Sequence, residues 1–151
     1  MTEALKPRRI YDSAMRLPVF VLSILMATPL AAQDWLTIYG YPELAGSDVV
    51  QISPVLSTWQ GQVTFEVRAT RQAVRVGYSG LPYRSYRGMA AVDCQTLKGW
   101  FLTLTFFDQP SWEGAPSGSA NFKPGDAAMA FNGIPGEPSA KVINAACAAA
   151  R

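Results

Sequence analysis

The sequence predicts an α+β fold: an antiparallel sheet of about five to six strands packed against a C-terminal α-helix, with one disulfide at most. Three observations lead there. Tyr86–Gln95 and Trp100–Phe107 are two strand-like runs separated by a short polar connection, the pattern of a hairpin. Pro138–Ala150 is the one segment with helical periodicity, and it comes last. The chain has two cysteines, Cys94 near the hairpin tip and Cys147 in the helix.

The elements follow in order. Trp35–Tyr39 is rich in aromatic and β-branched residues and ends at Gly40, which reads as a first strand. Tyr41–Asp48 is turn chemistry. Val49–Ser53 is a second strand, stopped by Pro54. Beyond Gly61, Val63–Arg68 alternates, so Val63, Phe65 and Val67 should face a core and Thr64, Glu66 and Arg68 the solvent. The pattern loosens from Ala69 to Pro82, with Ala73–Tyr78 as a short strand and Gly77, Gly80 and Pro82 as turn markers. The hairpin of Tyr86–Gln95 and Trp100–Phe107 is next, connected by Thr96–Gly99.

Asp108–Asp126 carries Pro110, Gly114, Pro116, Gly118, Pro124 and Gly125 and reads as one long loop, a length that in compact domains often serves function. Ala127–Phe131 is either an edge strand or a helical turn. In the terminal helix Ser139 is placed to cap, and Val142, Ile143, Ala146 and Cys147 share one face. Five alanines from Ala145 to Ala150 favour the helix intrinsically.

The domain organisation is a leader, 1–33, followed by one domain, 34–151. Lys6, Arg8, Arg9 and Arg16 precede a 14-residue apolar run, Leu17–Leu30, and the small residues Ala31 and Ala32 come next. A basic stretch, an apolar stretch of about 7–15 residues and a small-residue cleavage site make a secretory signal peptide. The run falls short of the ~20 residues of a membrane span and contains Pro18 and Pro29; the competing reading is an uncut anchor. A start at Met15 would leave a compact signal peptide by itself. No cysteine lies at the cleavage region to carry a lipid, so the expected location is periplasmic or secreted, without a membrane span after cleavage. The two cysteines either form one disulfide, as suits an oxidising compartment, or remain free thiols.

Composition excludes several function classes. Residues 34–151 contain nine basic and nine acidic side chains, so the positive net charge belongs to the leader and nucleic acid is not an expected partner. The chain has no histidine. Ser-His-Asp and Cys-His nucleophile systems, the usual catalytic zinc sites and histidine-ligated haem are therefore excluded. No enzyme activity, metal or cofactor is expected.

What remains is a binding reading. Arg68, Arg71, Arg75, Arg84 and Arg87 cluster between strands, no acid lies between Ala69 and Met89, and Tyr78, Tyr83 and Tyr86 interleave. Arg and Tyr are favoured at binding hot spots. The candidate surface is Arg71, Arg75, Tyr83, Arg84, Tyr86 and Arg87, with Trp112 from the long loop. The alternative is a solvated strand face whose arginines pair with distant acids. Trp112 and Phe122 either contact a partner or fold back over the sheet. Asp93, beside Cys94, is either an acid of a site or the polar face of its strand. Trp59 has no assignment.

Taken together, the tryptophan soon after the leader, Tyr83-Arg84-Ser85-Tyr86 before Val92-Asp93-Cys94, Trp112 ahead of Pro124-Gly125, and Pro135-Gly136 before the Cys147 helix resemble the surface-adhesin protein E family of Gram-negative bacteria. The resemblance covers nearly all of 34–151 through short, degenerate motifs. It implies a flat antiparallel sheet tied to a C-terminal helix by one disulfide, which falls here on Cys94 and Cys147. It also implies a protein partner, either host matrix or serum proteins such as vitronectin and laminin, and allows a homodimer. The chain departs from the family's namesake, a surface lipoprotein, in lacking a lipidation cysteine. The contrasting expectation is a periplasmic accessory protein that holds an envelope protein through a sheet edge.

Overall fold

The computed structural model describes residues 34–77 and 80–151. The expected leader, its alternative start at Met15, and Tyr78 of the arginine–tyrosine cluster lie outside the described residues. Six strands, β1 (Leu36–Tyr39), β2 (Val49–Trp59), β3 (Gln62–Val76), β4 (Pro82–Asp93), β5 (Lys98–Phe107) and β6 (Gly118–Asn121), precede helix α1 (Pro138–Ala149). Each strand pairs antiparallel with the next, so sheet order equals chain order. The α+β expectation and its strand number hold.

Local chemistry explains the hairpins. Gln60 and Gly61 both take positive φ, 51° and 76°, between the paired Trp59 and Gln62, the two-residue turn that matches strand twist. At the β4–β5 tip the Asp93 carboxylate accepts the backbone N–H groups of Gln95 (2.8 Å) and Thr96 (3.2 Å), closing an Asx turn. Asp93 is therefore a turn cap. These backbone donors hold its carboxyl below the ordinary aspartate range.

Gly88 has a packing reason. A Cβ there would run into the Thr103 carbonyl, where β5 crowds β4 beside the pairing slip between Met89 and Ala90.

Four expectations about strand and loop boundaries are corrected. Pro54 does not stop β2. It lies where pairing with β3 slips between Ile52 and Leu56, and a bulge tolerates a residue without an N–H. The two short strands read on either side of Ala69 are one 15-residue strand, β3, interrupted by a register shift between Thr70 and Arg75. That shift breaks the alternation from which strand continuity is read. The long loop is structured: Pro110–Trp112 forms a 3-10 turn and Gly118–Asn121 becomes β6. Ala127–Phe131 is extended but pairs through one bridge, Ala128 to Trp100, so it is neither a full edge strand nor a helical turn.

The core lies on the α1 side of the sheet. In-register rows Val50–Ala69–Tyr86–Phe106 and Ile52–Val67 supply its floor. Val142, Ile143, Ala146 and Cys147 of α1 are buried against it, as the helical spacing predicts, alongside Ala127, Met129 and Phe131. Val63, Phe65 and Val67 are buried and Glu66 is exposed, as expected. Thr64 is buried instead of exposed, because its hydroxyl is bonded to that of Ser57 across the β2–β3 pair, 2.6 Å away. Aromatic rings meet edge-on at Tyr86–Phe101 (5.8 Å) and Phe101–Phe131 (6.1 Å), geometries worth about 0.5–1.5 kcal/mol each beyond burial.

Helix α1 begins at Pro138, which suits the first helical position; Ser139 lies inside the helix and does not cap it. A disulfide joins Cys94 to Cys147 with Cα atoms 5.6 Å apart, fastening the hairpin tip to the helix. Among the described residues no helix is long and apolar enough to cross a membrane.

Candidate functional site on the open sheet face

The arginine–tyrosine cluster is not one surface. The pleat sends neighbours to opposite faces, and the register shift in β3 adds a further redistribution. Tyr83 and Tyr86 are core residues on the α1 side, with ring centroids 5.5 Å apart. Arg71 is 2% exposed: its Nε donates to Asp48 Oδ1 at 2.8 Å and its Nη2 to the Asn132 carbonyl at 2.7 Å. Arg84 Nε donates to the Arg71 carbonyl at 3.1 Å. Tyr83, Tyr86 and Arg71 are buried and Arg84 is held to a backbone carbonyl, so these four do not form one exposed surface with Arg75 and Arg87. Arg75 is exposed on the extension of β3. Cys94 and Cys147 serve the staple.

Arg87 and Trp112 lie together on the face away from α1. Strand register builds this face: Thr37, Gln51, Arg68, Arg87, Thr105 and Ser119 form one row, a residue from each of the six strands. Arg68 Nε donates to Gln51 Oε1 (2.8 Å), and Gln51 Nε2 donates to Thr37 Oγ1 (2.9 Å). The Arg68 guanidinium is held between two indoles, 3.9 Å from the Trp35 centroid and 4.2 Å from that of Trp112. Each such contact contributes about 0.5–2 kcal/mol, depending on desolvation. Burial pulls Arg68 below its ordinary pKa and Glu66 pushes back; the guanidinium remains charged.

Trp112 is fixed, not loose. Its Nε1–H donates to the Tyr86 carbonyl at 2.8 Å and its backbone N–H to Ser85 Oγ at 3.0 Å. The Ser85 hydroxyl donates to the Gln109 carbonyl (2.6 Å), and the Ser111 N–H donates to Thr70 Oγ1 (3.0 Å). These bonds bolt the turn to the sheet and hold Ser111 and Trp112 at φ 56° and 61°. So Trp112 folds back, as one of its two readings held, but over the open face. Phe122 packs against the core. Trp59 ends β2 and is exposed.

Arg87 stands directly across from Arg68. Like charges opposite each other in a sheet repel. Arg68 is occupied by the two indoles and Gln51. Arg87 is exposed, has no carboxylate at ion-pair distance among the described residues, and has its guanidinium 5.7 Å from the Phe107 ring. Between them and Trp35, Trp112, Met89 and Thr105 lies a recess of about 410 Å³ with Glu66 at its side. Trp35, Gln51, Met89 and Thr105 were not candidates from sequence. The signal that could have found them is the pairing register, which needs the turn positions. Among the described residues no group of three or more His, Cys, Asp or Glu side chains could hold a metal.

No protein-family model, curated protein or solved structure matches this chain.

Proposed function

We propose that the protein is an exported, non-enzymatic protein-binding domain, of the surface-adhesin E type, whose contact surface is the open sheet face around Trp35, Arg68, Arg87 and Trp112. The observation that carries this reading is the Arg68–Arg87 juxtaposition: an exposed arginine with no carboxylate at ion-pair distance among the described residues, beside a recess walled by two tryptophans. Trp and Arg dominate binding hot spots, and a partner carboxylate seated on Arg87 would offset the repulsion between the two guanidinium groups. The disulfide supports residence in an oxidising compartment, and the basic and apolar pattern of 1–33 supports export to the periplasm or beyond.

Binding of the oxidised protein to immobilised vitronectin and laminin, measured by interferometry, tests the proposal. Wild type should bind, and Arg87→Ser should weaken binding about tenfold or more, the loss of one charge-assisted contact. Equal binding by R87S and wild type would remove this face as the site. Binding to neither protein, with labelling of intact cells placing the chain inside the outer membrane, would sink the host-ligand reading in favour of an envelope partner.

A further inference from the structure

The recess on the open face carries two exposed charges of opposite sign. Its floor is a square of side chains. Arg68 stands across from Arg87 and Glu66 across from Met89, with no register slip between the two pairs. All four line the recess. Arg87 and Glu66 therefore occupy opposite corners, a diagonal step that separates same-face Cα atoms by about 7–8 Å. Arg68 and Met89 take the other two.

The corners differ in what they can still bind. Arg87 and Glu66 are both exposed, and neither has an opposite charge at ion-pair distance among the described residues. Arg68 is already held: two indoles clamp its guanidinium and Gln51 accepts from its Nε. Its fixed charge adds to the positive potential at the Arg87 end. Met89 is half-buried and brings a pliable apolar side chain beside the diagonal. Trp112, also half-buried, forms a wall that its bond to the Tyr86 carbonyl keeps in place. A ligand crossing the diagonal meets an anion-binding end, apolar side chains and a cation-binding end.

We propose that the recess takes a bipolar ligand, the C-terminal lysine of a protein partner: its carboxylate on Arg87, its ε-ammonium on Glu66 and its methylenes along Met89 and Trp112. This inference rests on the reading of the open face as the contact surface and names the group held there. An extended lysine separates its carboxylate from its ammonium by about 7 Å, close to the span of the diagonal. A guanidinium presents paired N–H donors that match a carboxylate. A plain anion would face Glu66 and a plain cation would face two arginines, so the joined charges fit where either alone is opposed.

The test is titration of the ¹⁵N-labelled oxidised protein with 6-aminohexanoate, which is lysine without its α-amino group, and with hexanoate, hexylamine and 4-aminobutanoate. 6-Aminohexanoate should shift the amides of Glu66, Arg87 and Met89 and the indole N–H of Trp112. It should bind about fivefold or more tightly than the other three, which lack one charge or the reach. Acetyl-Gly-Ser-Lys should bind as 6-aminohexanoate does, and its C-terminal amide about fivefold more weakly. Glu66→Gln should erase the preference over hexanoate, and Arg87→Ser the preference over hexylamine; both positions are exposed and tolerate the change. Equal binding of 6-aminohexanoate and hexanoate, tightest binding of 4-aminobutanoate, or indifference to E66Q would overturn the proposal. No shifts with 6-aminohexanoate, alongside R87S-sensitive capture of vitronectin or laminin, would overturn it and leave the open-face reading standing. E66Q- and R87S-sensitive shifts with neither protein captured would support it and sink the host-ligand reading.

Discussion

Reducing the Cys94–Cys147 bridge removes a covalent link between residues 53 apart in sequence and leaves both side chains in place. In the chain-entropy treatment, opening a loop of 53 residues gives the unfolded chain about 14 cal/mol/K, so the folded state loses about 4 kcal/mol. Unfolding entropy near 2.1 cal/mol/K per residue, over the 118 residues of 34–151, makes each kcal/mol worth about 4 °C. The reduced protein should therefore melt about 16 °C lower. Because α1 places Val142, Ile143 and Ala146 in the same core as the strands, it should still melt in one transition. The assay is calorimetry on oxidised and reduced wild type, with C94A/C147A as a non-reoxidising control. A difference below about 1 kcal/mol would refute the staple argument. Two separate transitions would refute the claim that helix and sheet share one core.

Other perturbations have equally definite outcomes. Asp48→Ala strands buried Arg71 and should cost about 3–5 kcal/mol in urea unfolding, whereas Asp126→Ala, an exposed acid, should cost little. Gly88→Ala forces a Cβ against the Thr103 carbonyl and should cost about 3 kcal/mol, with faster amide exchange along β4–β5. Phe65→Ala, fully buried on the core face, should cost about 3–5 kcal/mol. Asp93 has a depressed folded pKa, so its contribution is present above the ordinary aspartate pKa and is lost as pH falls through the folded value. The stability gap between wild type and Asp93→Ala should hold at neutral pH and narrow in acid below the ordinary aspartate range, by urea midpoints.

The residues whose structural roles were readable from sequence are those governed by local chemistry. The alternation of Val63, Phe65 and Val67, the helical spacing of Val142 to Cys147, and the hairpin flanking Thr96–Gly99 each depend on neighbours a few positions away. Features set by long-range pairing were not readable. Pro54 signals a stop unless a bulge accommodates it, and the bulge exists because β2 and β3 slip between Ile52 and Leu56. Gly118–Asn121 carries no strand signal of its own and pairs because β5 offers an edge from Thr103 to Phe106. The site suffered most. Spacing along the chain grouped five arginines, and the pleat and the β3 register shift divided them: Arg71 became a buried ion pair, Arg68 the centre of an indole sandwich, and Arg87 its exposed opposite. Trp35 and Trp112, 77 positions apart in sequence, meet through Arg68 only in the folded sheet.

Hydroxyl-radical footprinting of the oxidised protein, free and bound to vitronectin or laminin, reads the open face directly, because Trp35, Met89 and Trp112 there carry the side chains that radicals oxidise fastest. The account predicts that partner binding protects these three, while Trp59, exposed at the far turn, oxidises as before. Protection of Trp59 with no change at Trp35, Met89 and Trp112 would contradict it.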